Sequence, residues 1–359
     1  MAAVSLGLPS IEGRTVDRVV APRPESPYLI DTHGRRATDL RVSLTDKCNL
    51  RCTYCMPAEG LDWLPGPQLL TDDELVRLIA IATSSLGIDE VRFTGGEPLL
   101  RKGILEIIRT VAGLPNRPQM SLTTNGVGLA NRATAFKDAG LDRINVSLDT
   151  LDRDRFVTLT RRDRIRDVFA ALQASAAAGL TPVKINTVLM RGVNDHEAAD
   201  LLAFALERGY QLRFIEQMPL DAGHSWDRST MVTADEIQAG IAERYLLTPH
   251  PAPRAGAPAE LFDVHGADGG ILGNVGIIAS VSRPFCGDCD RTRLTADGQI
   301  RTCLFSRTET DLRELLRSGA TDGQIADIWR EAMWGKLPGH GIDDPTFLQP
   351  DRPMSAIGG

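Results

Sequence analysis

The feature that most constrains this chain is a rhythm between Asp39 and Pro219, where short apolar runs alternate with amphipathic stretches. The runs are LRVSL (40–44), EVRFTG (90–95), QMSLTT (119–124), RINVSL (143–148), VKINTVLM (183–190) and QLRFIEQM (211–218). Helical patterns lie between them at 71–86, 101–112, 130–139, 166–178 and 196–208. Thr71 with Glu74 makes a capping box at the start of the first, and Gly140 and Gly179 stand where helices end. Mostly apolar strands, each followed by a helix, imply a parallel sheet covered on its outer face. Six βα units fall short of the eight that close a TIM barrel. The expected fold class is therefore α/β, a partial, open-sided (β/α)6 TIM-like barrel. In such folds chemistry gathers at the carboxyl ends of the strands. The segments 45–55, 94–98, 124–126, 147–149 and 218–219 all fall there.

Past Pro219 the rhythm changes. A helix is expected from Thr233, capped through Glu236, followed by a Pro/Ala/Gly-rich loop (249–259) and short strands near 261–264 and 275–282. This divides the chain into a leader (1–25), a barrel (26–230) and a C-terminal region (231–359) packed over the barrel's open side. The leader is expected to be disordered: it lacks the basic start and long apolar run of a secretory signal. Its arginines with few acids are a weak feature of organelle transit peptides. No stretch of about 18 apolar residues indicates a membrane span. A net charge of −7 argues against a general nucleic-acid binder, although a few cations in one cleft can still hold a small polyanion. A cytoplasmic location is the expectation.

The six cysteines fall into two groups of three, Cys48-x3-Cys52-x2-Cys55 and Cys286-x2-Cys289-x13-Cys303. Tight clustering in a long chain without an export signal argues against a disulfide framework. Soft thiolates suit zinc or iron–sulfur. Structural zinc wants a fourth ligand, and neither group has one close by; the second would need a distant His such as His265, or water. Three ligands would leave one iron of a 4Fe–4S cube open. Separately, Arg41, Arg92 and Lys184 interrupt apolar strands. Buried cations are costly unless paired, so either internal carboxylates or an anionic ligand must answer them.

CNLRCTYC resembles the signature of the radical S-adenosylmethionine (SAM) superfamily. The resemblance implies a 4Fe–4S cluster on Cys48, Cys52 and Cys55 whose open iron chelates SAM, with a 5′-deoxyadenosyl radical abstracting substrate hydrogen. It also implies SAM contacts at Tyr54, at Gly96 and Glu97 in the TGGEP motif, at Ser147 and at Met218. The second group, reading FCGDCDRTRLT…GQIRTCL, together with the terminal Gly358-Gly359, resembles the family of GTP 3′,8-cyclases of molybdenum cofactor biosynthesis. This second resemblance covers the chain from about Leu40 to its end and implies a second 4Fe–4S cluster on Cys286, Cys289 and Cys303 that binds guanine. Further implied are GTP contacts at Arg41, Arg92, Thr123, Lys184, Arg291, Thr292 and Arg293, and catalytic roles for Arg291, Arg293, Gly358 and Gly359 beside the first three cysteines. The implied reaction is that of a lyase: hydrogen leaves C3′ of GTP, C3′ attacks C8, and 3′,8-cyclo-7,8-dihydro-GTP results. Implied partners are a reductant such as flavodoxin or ferredoxin, a downstream cyclic pyranopterin monophosphate synthase, and a second copy in a homodimer. Two positions depart from the family pattern: Asp290 where Asn is usual, and Ala279 where Pro is common. The competing readings are another radical SAM enzyme with an auxiliary cluster, and a non-enzymatic zinc scaffold.

Overall fold

The computed structural model describes residues 22–358. The leader as far as residue 21, and Gly359, lie outside the described residues. Six parallel strands form the centre: β1 (Asp39–Ser43), β2 (Glu90–Thr94), β3 (Gln119–Thr124), β4 (Arg143–Ser147), β5 (Val183–Val188) and β6 (Gln211–Ile215). Each matches an apolar run to within a few residues. The covering helices are α1 (Asp72–Ser85), α2 (Ile104–Ala112), α3 (Ala133–Asp138), α4 (Arg153–Thr160), α5 (Ile165–Ala177) and α6 (Ala198–Glu207). The Thr71–Glu74 capping box is formed in both directions. Helix α4 is unexpected. Its eight residues carry a weak apolar stripe, and it is started by Asp152, whose side chain accepts from Arg155 N at 2.7 Å.

The C-terminal region adds α7 (Ala234–Ala242), β7 (Leu246–Pro249), β8 (Glu260–His265), β9 (Ile271–Ile278), β10 (Arg291–Leu294), β11 (Gln299–Arg301), β12 (Thr310–Asp311), α8 (Arg313–Arg317), α9 (Asp322–Trp334) and α10 (Met354–Ile357). These strands join the same sheet, whose order is β12-β11-β10-β1-β2-β3-β4-β5-β6-β9-β8-β7. Strand β10 runs parallel to β1, and β9 runs parallel to β6. The region therefore lengthens the parallel array by one strand at each edge, an addition to the expected packing over the open side. The connection from β9 to β10 must pass from one edge of that array to the other. Cys286 and Cys289 sit on this connection, so the fold carries them across the opening.

Apolar residues fill the space between sheet and helices; Leu40, Val42, Val91, Phe93, Leu122, Ile144, Ile185 and Phe214 are essentially inaccessible. Alternation along each strand then directs the intervening polar residues to the concave face.

Candidate functional site

Two glycines explain how the first cysteine loop is held. A Cβ on Gly95 would strike the Thr45 carbonyl, and one on Gly96 would strike the carbonyls of Asp46 and Lys47. With hydrogen there instead, Gly96 N donates to Thr45 O at 2.8 Å and Glu97 N donates to Lys47 O at 2.7 Å. The turn after β2 thus pins the segment leading into Cys48. Glu97 itself is fully buried and does not face the cavity. Its carboxylate accepts from Thr124 Oγ1 and Asn125 N, both at 2.7 Å, and from Leu99 N at 3.0 Å. Burial pushes it up to about 7. Three protein donors thus give the carboxylate a bracing role beside the SAM contact that the resemblance implies.

All six cysteines are free and line one cavity of about 310 Å³. Gly96, Tyr54, Ser147 and Met218 lie on its wall with the first triad, and so do Asn125 and Asp149, which were not expected. Tyr54 OH donates to Asp149 Oδ2 at 2.8 Å, and Asn125 Nδ2 reaches Cys48 Sγ at 3.8 Å. Burial, with the Cys48 thiol nearby, pushes Cys55 up to about 12. Burial likewise raises Cys52, reinforced by Asp149.

In the second triad burial again raises Cys286, but Cys289 has the opposite surroundings. Arg291 Nη2 donates to Cys289 Sγ at 3.2 Å and Lys336 Nζ donates at 3.3 Å. Burial pushes that thiol up, but these two cations outweigh it and hold Cys289 at about 6. Asp290 Oδ1 lies 3.8 Å from Arg291 Nε, so the departure from Asn places a carboxylate beside one expected phosphate ligand. Ala279, the other departure, is buried in the apolar core.

Between the triads the concave face is strongly cationic. Arg41, Arg92, Arg291 and Arg293 line the cavity, with Thr123 and the unexpected Arg213. Arg293, Arg41 and Arg92 are lateral neighbours in register on β10, β1 and β2. Asp39 answers part of this charge, at 3.3 Å from Arg41 and 3.9 Å from Arg92. Arg143, a second unexpected cation, pairs with Glu90 at 2.7 Å. Arg291 is answered by Asp290 and Cys289, but the set as a whole is under-compensated: burial and neighbouring cations lower Arg92 to about 9, Arg213 to about 10 and Lys184 to about 7. The Nε atoms of Arg41, Arg92, Arg213 and Arg291 are buried without a hydrogen-bond partner. Lys184 faces the same interior among Arg213, Arg143 and Arg92 but lies off the cavity wall.

The Thr292 side chain points differently from its two arginine neighbours. It sits between Arg291 and Arg293 on β10, so alternation turns it to the other face, where its Oγ1 accepts from Trp329 Nε1 of α9 at 3.2 Å. It is fully buried there and does not line the cavity.

The chain's end enters the site from the side of β11. Arg352 bridges Asp297 at 2.7 and 3.0 Å and Glu309 at 2.9 Å, fixing the base of the tail. Ile357 is buried against Leu220 and Phe305. The Ser355 backbone N–H points at the Cys55 sulfur, while the Gly358 carbonyl accepts from Arg293. Gly358 has φ +82°, and a Cβ there would strike Ser43 Oγ and Thr94 Cγ2.

The donor set fits two three-ligand clusters and a polyanion. His265 is not available as a fourth zinc ligand: its ring nitrogens lie 2.9 Å from Thr248 Oγ1 and 3.1 Å from Gly269 O, far along β8. His340 lies on the cavity wall, but its Nδ1 accepts from Ile342 N at 3.1 Å, leaving Nε2–H to donate to Ser280 O at 3.0 Å. No group of three His, Cys, Asp or Glu among the described residues is disposed to hold a single metal ion.

Residues 42–205 match the Radical SAM superfamily and residues 210–342 match Molybdenum Cofactor Synthesis C. A GTP 3′,8-cyclase of Streptomyces coelicolor is 66% identical over 340 residues, spanning 94% of this chain and 98% of that protein. The chain belongs to the GTP 3′,8-cyclase family. GTP 3′,8-cyclase 2 of Mycobacterium tuberculosis is 59% identical over the full length of both chains. Among solved structures, Streptococcus suis SuiB superposes with a TM-score of 0.58 at 14% identity, covering 86% of this chain and 68% of that one. At that identity the likeness concerns the fold alone. The cyclase family membership thus rests on sequence, and the radical SAM fold on both.

Proposed function

We propose that Cys48, Cys52 and Cys55 hold the 4Fe–4S cluster at which SAM binds, and that Cys286, Cys289 and Cys303 hold a second 4Fe–4S cluster facing the substrate, GTP. The chain is accordingly read as a GTP 3′,8-cyclase, removing hydrogen from C3′ of GTP and joining C3′ to guanine C8 to give 3′,8-cyclo-7,8-dihydro-GTP. The observation that carries this is the convergence of both triads and an under-compensated set of cations on one cavity, in a chain 66% identical to a named cyclase. SAM bound at an open iron supplies a 5′-deoxyadenosyl radical able to take hydrogen from an unactivated carbon.

The protein's part is placement. Tyr54, Gly96, Ser147 and Met218 surround the first triad, where Met218 and Tyr54 offer apolar faces for an adenine. Glu97, held by Thr124 and Asn125, keeps the cysteine loop and the end of β3 in one arrangement. Arg41, Arg92, Arg213, Arg291 and Arg293 would bind the triphosphate through charge-assisted hydrogen bonds, which at the first four would also satisfy an Nε that lacks a hydrogen-bond partner. Lys184 adds charge from just behind them. Gly358 seats the tail between Arg293 and the ends of β1 and β2, while Met354 and Ser355 of the same tail line the cavity.

The boundary near residue 230 is then functional rather than physical, since one sheet passes through both parts. The first part makes the radical and the second holds its target. A flavodoxin or ferredoxin as electron donor, delivery of product to cyclic pyranopterin monophosphate synthase, and a cytoplasmic location complete the reading. No described helix is long and apolar enough to cross a membrane. The exposed Leu246 on the edge strand β7, with the exposed Ile271 and Leu272 at the start of β9, would supply a face for the second copy of a homodimer. GTP carrying deuterium at C3′ tests the assignment directly. Deuterium should appear in 5′-deoxyadenosine and a cyclised nucleotide should accumulate; 5′-deoxyadenosine formed equally well without GTP would refute it.

A further inference from the structure

Just beyond α9 the chain turns inward and buries Lys336, which is 3% exposed. Its ammonium donates to Arg291 O at 2.8 Å, and to Cys289 O and Cys289 Sγ at 3.3 Å each. Three donors therefore meet three acceptors, and none of those acceptors is a carboxylate. A buried ammonium answered only by carbonyls would be costly. The one group in contact that can carry a negative charge is the Cys289 sulfur. Arg291 Nη2 addresses the same sulfur at 3.2 Å. Lys336 differs from Arg291 in not lining the cavity, so it cannot touch a bound nucleotide and acts only through Cys289 and the β10 backbone.

We propose that Lys336 is a positioning residue that sets the reduction potential of the cluster on Cys286, Cys289 and Cys303, through its charge on the Cys289 sulfur. A cation hydrogen-bonded to a ligand sulfur favours the reduced, more negative cluster and so raises its potential. The proposal rests on the two-cluster reading given above. It adds that the second cluster is tuned upward from behind, on the side away from substrate.

The test is a redox titration followed by electron paramagnetic resonance on the full chain, reconstituted anaerobically with iron and sulfide, as wild type, Lys336→Met and Lys336→Arg. The first cluster serves as the internal reference. The Met variant should lower the potential of the second cluster, the Arg variant should restore it, and the first should not move. If the Met variant retains only the first cluster while the Arg variant retains both, the charge is shown to be required. Equal potentials in wild type and Met variant, equal loss of the cluster in both variants, or a common shift of both clusters would overturn the proposal. Wild type that binds only one cluster would instead refute the two-cluster reading, a separate outcome visible before any variant is compared.

Discussion

The two cysteine triads share a count and a cavity but differ in electrostatics. Around the first triad the donors are mostly neutral: the Leu50 N–H and the Asn125 amide at Cys48, with the Arg51 cation nearby, and the Ser355 N–H at Cys55. Carboxylates stand close, with Asp149 beside Cys52 and Asp221 beside Cys55. Around Cys289 two buried cations converge on one sulfur. The first triad therefore disfavours added negative charge, whereas Cys289 of the second welcomes it. That difference suits a site that must pass an electron on to SAM and a site that must dock an anion. On the two-cluster reading, the cluster on the second triad is expected to have the higher reduction potential.

The tail is where the two sites are coupled, so it offers the largest perturbation. Gly358→Ala puts a methyl against Ser43 and Thr94 at a positive φ, which should expel the tail from its slot. Cyclised nucleotide should fall to background while iron content stays at wild-type level; unchanged turnover would show that the tail's seat is incidental. Next in size, Arg213→Leu removes a cavity cation without touching either triad. Loss of a charge-assisted hydrogen bond should raise the KM for GTP roughly 10- to 100-fold with little effect on SAM affinity. Equal weakening of both ligands would merge the two sites that the comparison separates.

A smaller effect concerns protons. Burial and the facing cations Arg213, Arg143 and Arg92, opposed only by Glu90, leave Lys184 at about 7 in the free protein. At pH 8 it is then mostly neutral, and an incoming triphosphate raises its affinity for a proton. Binding near pH 8 should take up a fraction of a proton, fading below pH 6 where Lys184 is already charged. Calorimetry in buffers of different ionisation enthalpy reads this, and a buffer-independent enthalpy at pH 8 would contradict it. The smallest effect belongs to Thr292→Val, which loses only the Trp329 hydrogen bond. It should cost about 1 kcal/mol of stability and leave the KM for GTP unchanged.

The six central strands and the capped helices could be read from the chain because local periodicity and capping chemistry specify them. Arg41 and Arg92 stood out for the same reason: a cation inside an apolar strand needs an answer. Arg143 and Arg213 meet that criterion equally and were legible, lying in RINVSL and QLRFIEQM, but had not been singled out. Alternation alone should have turned Thr292 away from its two arginine neighbours. Other features were not legible locally. The parallel pairing of β9 with β6 and of β10 with β1 joins segments far apart in the chain, and no period of the sequence encodes it. The bracing role of Glu97 was hidden, because its three donors come from the 3-10 turn after it and from the end of β3. Lys336 gave no signal at all, since its partner sulfur lies 47 residues earlier.

The central claim is a division of labour between the triads, and paired ligand variants test it most directly. Cys52→Ser and Cys289→Ser would be reconstituted anaerobically, reduced, supplied with SAM and GTP, and analysed for 5′-deoxyadenosine and cyclised nucleotide. The account predicts that Cys52→Ser yields neither product, and that Cys289→Ser still releases some 5′-deoxyadenosine but no cyclised nucleotide. Full cyclase activity in Cys289→Ser, or SAM cleavage surviving in Cys52→Ser, would contradict it.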